Sequence, residues 1–157
     1  MFELKLPVDT LQMKGPLFAA GTVWLSLAST DFPETGWHDT PLSVFGSLHT
    51  AVQEALKGHT HDAHFFEGPY LVKITPVAAT PESPRLIQIT GINDRDDTNP
   101  AVLADITAPL REVVENLNST LRSLRAWAAN AGNADIQATL LAIPDLPEPM
   151  APSVTAP

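Results

Sequence analysis

Apolar and polar residues alternate from the start of the chain. Phe2, Leu4 and Leu6 flank Glu3 and Lys5 with the period of a strand, and Pro7 ends the run. Between Leu17 and Ala28 the alternation returns at Val23, Leu25 and Leu27, which predicts a longer strand with a bulge at Gly21 and a core place for Trp24. The period then changes. Leu42, Phe45, Leu48, Val52 and Leu56 recur at spacings of three and four, so a helix is predicted over 41–57. Asp39 or Thr40 caps it, Pro41 opens it and Gly58 stops it, while His49, Gln53, Glu54 and Lys57 fall off the apolar stripe.

The next punctuation is Glu67-Gly68-Pro69, set between apolar 63–66 and alternating 70–76. Glycine tolerates positive φ and proline fixes φ near −65°, so the segment reads as a β-hairpin. Residues 85–90 read as a strand, and 101–106 as a strand or a lead-in to a helix. Leu110, Val113, Val114, Leu117, Leu121, Leu124 and Trp127 keep helical period over 109–131, with Trp127 expected in the core. Gly132 ends that helix, and Asn133 caps a short one running to Leu141. After Ile143, Pro144, Pro147, Pro149, Pro152 and Pro157 deny the chain regular structure.

This order lacks regular βαβ alternation. It predicts an α+β fold: an antiparallel sheet of about five strands with the long C-terminal helix, 109–131, packed on one face. Residues 1–143 form a single domain in this reading, and 144–157 are a proline-rich tail, extended or disordered.

Composition narrows the function classes. Hydrophobic residues make up 44% of the 157, too many for a disordered chain. The formal charge of −9 opposes nonspecific binding to nucleic acid or an anionic membrane and favours a basic protein partner. With no cysteine there is no disulfide and no thiol nucleophile. Residues 1–7 carry Glu3 and no apolar core of a signal peptide, so a cytoplasmic location is the expectation.

Catalytic patterns are sparse. His59, His61, Asp62 and His64 lie within six residues and resemble the His-x-His-x-Asp-His motif of metallo-β-lactamase-type hydrolases. The aspartate stands fourth here rather than fifth, so the cluster is read as solvent-exposed or structural. A small metal-dependent enzyme built on 59–64 is the alternative. Phe45-Gly46-Ser47-Leu48-His49 is not a nucleophile elbow. Asp94, Asp96 and Asp97 lack the glycine and terminal glutamate of a calcium loop. No catalytic residue, metal ligand or cofactor is assigned, and the chain is read as a non-enzyme.

The loop from Phe32-Pro33 to Trp37-His38-Asp39 has two readings. Its aromatics cover the core at a strand–helix junction, or they anchor a partner. Phe32-Pro33, Trp37-x-Asp39, a helix, and then Phe65-Phe66-Glu67-Gly68-Pro69-Tyr70 form an order of landmarks that is similar to that of small acidic bacterial immunity-like proteins. The resemblance spans about 17–76; the inserted Gly36 and the proline-rich tail depart from it. It implies a cytoplasmic binding protein that covers the active site of a toxin domain. The resemblance assigns no contact residues; on the partner-anchoring reading of the aromatic loop, Trp37 is the anchor, with the carboxylates Glu34, Asp39 and Glu67 around it. A structural or assembly subunit of a bacterial secretion or phage-like system, docking through its tail, is the other non-enzymatic alternative. The residues leave the oligomeric state open.

Overall fold

The first alternating run becomes β1 (Phe2–Lys5) in the computed structural model, which describes residues 1–150. Phe2 and Leu4 point inward and are buried, as their spacing requires. The second run does not form one strand. It divides at Val23 into β3 (Ala19–Thr22) and β4 (Trp24–Leu27), which belong to different sheets. The Val23 N–H turns away to donate to the Trp37 carbonyl at 2.8 Å. Gly21 is not a bulge: it pairs in register with Asp39, and a Cβ there would lie 3.1 Å from the Thr10 carbonyl. A close backbone approach is what excludes a side chain. Val23, Leu25 and Leu27 fill the core, while Trp24, on the opposite face of β4, is only half-buried. The same alternation that identifies the strand thus places Trp24 outside the core.

Five strands in one sheet is corrected to three antiparallel sheets among the described residues. One joins β1, β4 and β5 (Thr30–Phe32) in the order β1-β4-β5. A second joins β2 (Gln12–Met13), β3 and β6 (His38–Asp39). The largest runs β10-β9-β8-β7, from β7 (His61–His64), β8 (Tyr70–Pro76), β9 (Leu86–Asn93) and β10 (Ala101–Pro109). Its inner face carries Val72, Ile74, Ile87 and Ile89, all fully buried. The outer face carries Lys73, Thr90 and Asp105, with polar groups toward solvent, as a one-sided antiparallel sheet permits.

Two of the three α-helices among the described residues pack on these strands, and the third packs on the second. α1 (Pro41–Leu56) packs against β7 and β8. α2 (Leu110–Ala131) follows β10 without a break and buries Leu117, Leu121 and Leu124. It also seals the edge of β1: Glu112 accepts from the Phe2 N–H at 3.0 Å and Asn116 from the Leu4 N–H at 2.9 Å. Gly132 closes α2 at φ 70°, and the Asn133 side chain caps α3 (Ala134–Ala142) by accepting from the Ile136 N–H at 2.9 Å. The long helix is therefore not the last one. Trp127 is half-buried and packs against the core from its rim.

Packing continues beyond residue 143. Leu146 is 3% exposed and belongs to the core. Asn118 holds both sides of its backbone, donating to the Leu146 carbonyl at 3.0 Å and accepting from its N–H at 2.8 Å. His49, expected off the apolar stripe, is buried; its Nε2–H donates to the Pro144 carbonyl at 2.8 Å. Arg125 reaches the Ile143 carbonyl and Asp145. Side chains thus supply the hydrogen bonds that a proline-rich segment cannot make with itself. Residues 144–150 lie along α2 without helix or strand, and the remainder of the tail, 151–157, is outside the described residues.

Because Leu121 is wholly buried in this shared core, Leu121→Ala is expected to lower unfolding free energy by about 2–5 kcal/mol in urea titrations. A loss below about 0.5 kcal/mol, the scale of surface changes, would contradict the packing of α2.

Candidate functional site

The side chain that organises this end of the molecule is Asp39. It sits at the end of β6, one residue before the Thr40 cap of α1, and is 1% exposed. A carboxylate this deep needs partners, since an unpaired buried charge is expensive. Asp39 has five donors. Its Oδ1 accepts from the Thr40 N–H at 2.7 Å and the Thr40 hydroxyl at 3.2 Å. Its Oδ2 accepts from the Trp37 indole N–H at 2.9 Å, the Phe66 N–H at 3.0 Å and the Glu67 N–H at 3.2 Å. The last two come from the turn between β7 and β8. One buried carboxylate therefore ties that turn to the start of α1.

Aromatic packing completes the joint. Phe32 is buried with its ring edge-on to Phe65 and to Tyr70, both at 5.8 Å between centroids. Trp37 meets Tyr70 edge-on at 5.2 Å. Two glycines make room for these rings. A Cβ on Gly91 would come within 2.7 Å of the Phe32 ring, and one on Gly68 within about 3.1 Å of the Trp37 and Tyr70 rings. The turn itself closes by a bond from the Phe65 N–H to the Tyr70 carbonyl, and Pro69 accepts from the Asp94 N–H at 2.8 Å.

The four residues expected at a partner surface separate into two groups. Trp37 is half-buried between Tyr70 and Gly68 with its indole N–H committed to Asp39. Asp39 is internal, which corrects its assignment as a contact residue: its hydrogen-bonding capacity is spent within the fold. Glu34 and Glu67 are exposed. The residue that sequence reasoning passed over is Phe66. It is 54% exposed, while its own N–H is held by Asp39. The signal was available in the chain: Phe65 and Phe66 are adjacent at a strand end, so they must face opposite ways, and only one can enter the core.

Charge gathers on the same end. Tyr70, Asn93 and Ala101 are register partners across β8, β9 and β10, so the 65–69 turn and the 94–100 loop emerge side by side. Asp94, Asp96 and Asp97 join Glu34 and Glu67 there, with Arg95 as the nearby cation in the chain. The Asp96 carboxyl is held below its ordinary pKa by hydrogen bonds from the Thr98 hydroxyl and backbone N–H.

The histidine run lies elsewhere and its members point to different partners. The His59 ring pairs with Glu54 at 2.9 Å, a contact that, with a further bond from Lys57, lowers the Glu54 pKa. The His61 Nδ1 lies 3.1 Å from the Asp62 carbonyl, and Asp62 pairs with Lys73. Among the described residues no group of three or more His, Cys, Asp or Glu side chains is arranged to hold a metal ion. No helix there is long and apolar enough to cross a membrane. Comparison with protein families, characterised proteins and solved structures finds no match to this chain.

Two substitutions test the joint. Asp39→Asn replaces an acceptor oxygen with a donor facing N–H groups, and is expected to destabilise by about 3 kcal/mol, as for lost charge-assisted hydrogen bonds. A change within about 0.5 kcal/mol would mean that the carboxylate does not join the turn to α1. Gly91→Ala forces a methyl into the Phe32 ring and is expected to cost about 1–3 kcal/mol by overpacking. An unaltered or raised melting temperature would show that the ring has space to retreat.

Proposed function

We propose that the chain is a non-enzymatic binding protein that works as an immunity protein does, covering the active site of a basic toxin domain with its acidic end. The observation that carries this reading is Phe66: a large exposed aromatic on a turn whose backbone is fastened by the buried Asp39, with Glu67 beside it and Glu34, Asp94, Asp96 and Asp97 on neighbouring loops. An exposed aromatic on a fixed backbone loses little entropy when it is covered, which is what an interface anchor requires. The surrounding carboxylates attract a basic partner at long range and speed its encounter. Binding of this kind needs complementary shape and charge, not a reacting group. The earlier contact set thus becomes Glu34, Glu67 and Phe66 at the surface, with Trp37 and Asp39 holding them from beneath.

The reading requires a basic toxin domain encoded in a neighbouring gene; the test is co-expression with that domain, followed by calorimetry on the purified pair, and flanking genes without one would overturn the reading. The chain is expected to restore growth, and affinity to fall as salt screens the charges over about 8 Å. Phe66→Ala is expected to weaken binding by about 2 kcal/mol or more, and Glu34→Lys with Glu67→Lys to slow association without unfolding the protein. A toxin that still kills, or unchanged affinity in these folded variants, would overturn the reading.

A further inference from the structure

The acidic end borders a strand edge that differs from the others nearby. On β1 the outward N–H groups of Phe2 and Leu4 are taken by Glu112 and Asn116. On β7, at one side of the large sheet, the His64 N–H is taken by the Ser47 hydroxyl of α1 at 2.9 Å. β10, at the other side, pairs with β9 alone among the described residues, and no helix side chain there seals its outer edge in the same way. Its first residues are apolar and exposed: Val102 at 61% and Leu103 at 48%. The register explains Leu103. Val102 pairs with Ile92 and Ala104 with Gly91, so Leu103 is an extra residue, a bulge without a partner on β9. An open edge carrying exposed apolar side chains is a template for another strand.

We infer that the Ala101–Asp105 edge of β10 receives an extended, basic segment of the partner protein as an added antiparallel or parallel strand. This rests on the reading of the acidic end as a binding surface and specifies how the partner is held. Backbone hydrogen bonds along β10 supply register, Val102 and Leu103 contact apolar side chains of the incoming strand, and Asp94, Asp96 and Asp97 in the loop leading into β10 meet its lysines or arginines. Charge selects this occupant over a second copy of the chain. A second copy brings a further −9 and the same acidic loop, so self-pairing on this edge sets like charges together.

The experiment uses the full chain, isotopically labelled and titrated at low ionic strength with an acetylated heptapeptide of alternating lysine and valine. A lysine–glycine peptide of equal charge serves as the control. The lysine–valine peptide is expected to shift the amide resonances of 101–105 and slow their exchange with solvent. Leu103→Pro removes a backbone N–H from this edge at the position without a register partner on β9, and is expected to weaken binding at least about tenfold. Leu103→Lys keeps the donor but opposes the peptide charge, and gives the same loss should the proline variant fail to fold. Shifts confined to 65–69 and 94–97, or equal binding of the two peptides, would refute strand addition and leave the acidic end standing as a cation-attracting surface. No shift with either peptide would overturn strand addition and remove the charge argument for the acidic end as well. Protection of the 101–105 amides in the chain alone, rising with its concentration, would assign the edge to a second copy instead.

Discussion

Burying a carboxylate without a counter-ion is tolerable only when every lone pair is occupied, and Asp39 meets that condition with donors drawn from two distant parts of the chain. Trp37 and Thr40 come from its own strand–helix junction, and Phe66 and Glu67 from a turn about thirty residues on. The two parts cannot separate without stranding the charge, so the turn keeps one position relative to α1. An exposed loop would otherwise be among the first segments to open locally. Here its tip projects Phe66 and Glu67 while its backbone is fixed from within.

The same joint orders the sheets. Phe32 enters from β5 in the small sheet and lies over Gly91 of β9 in the large one, with Phe65 and Tyr70 at its edges. The ring is thus the contact between two layers, and the missing side chain at Gly91 sets how closely they approach. Segment 144–150 is fastened separately, by His49, Asn118 and Arg125, residues of α1 and α2. α1 is consequently tied to remote chain segments at its N-terminal junction through Asp39 and near its middle through His49.

Local pattern was enough to find the helices, because periodicity, caps and stop signals are all written within a few residues. α1, α2 and the Gly132–Asn133 break lie where the periods place them; of the hairpin, β8 matches the predicted 70–76, while β7 begins and ends two residues before the predicted 63–66. The split at Val23 was not legible: it depends on a hydrogen bond to Trp37 and on the approach of Thr10 to Gly21, contacts made only in the folded chain. β5 and β6 are three and two residues long, too short to show a period. His49 is polar at a position that turned out to be buried because a proline carbonyl waits there, and nothing near it in sequence announces that acceptor. Trp37, Asp39 and the 65–70 turn were recognised together as a set, while the division of labour among them, anchor beneath and contact above, required the burial of each side chain.

Hydrogen exchange at the Phe66 and Glu67 amides tests this account most directly. Both belong to a surface turn, yet both donate to the buried carboxylate. If Asp39 fixes the turn, these two amides exchange at least about a thousandfold more slowly than in an unstructured peptide, in step with the amides of α1. Exchange at the unstructured rate would show that the turn opens freely and that the buried carboxylate does not hold the proposed binding surface in place.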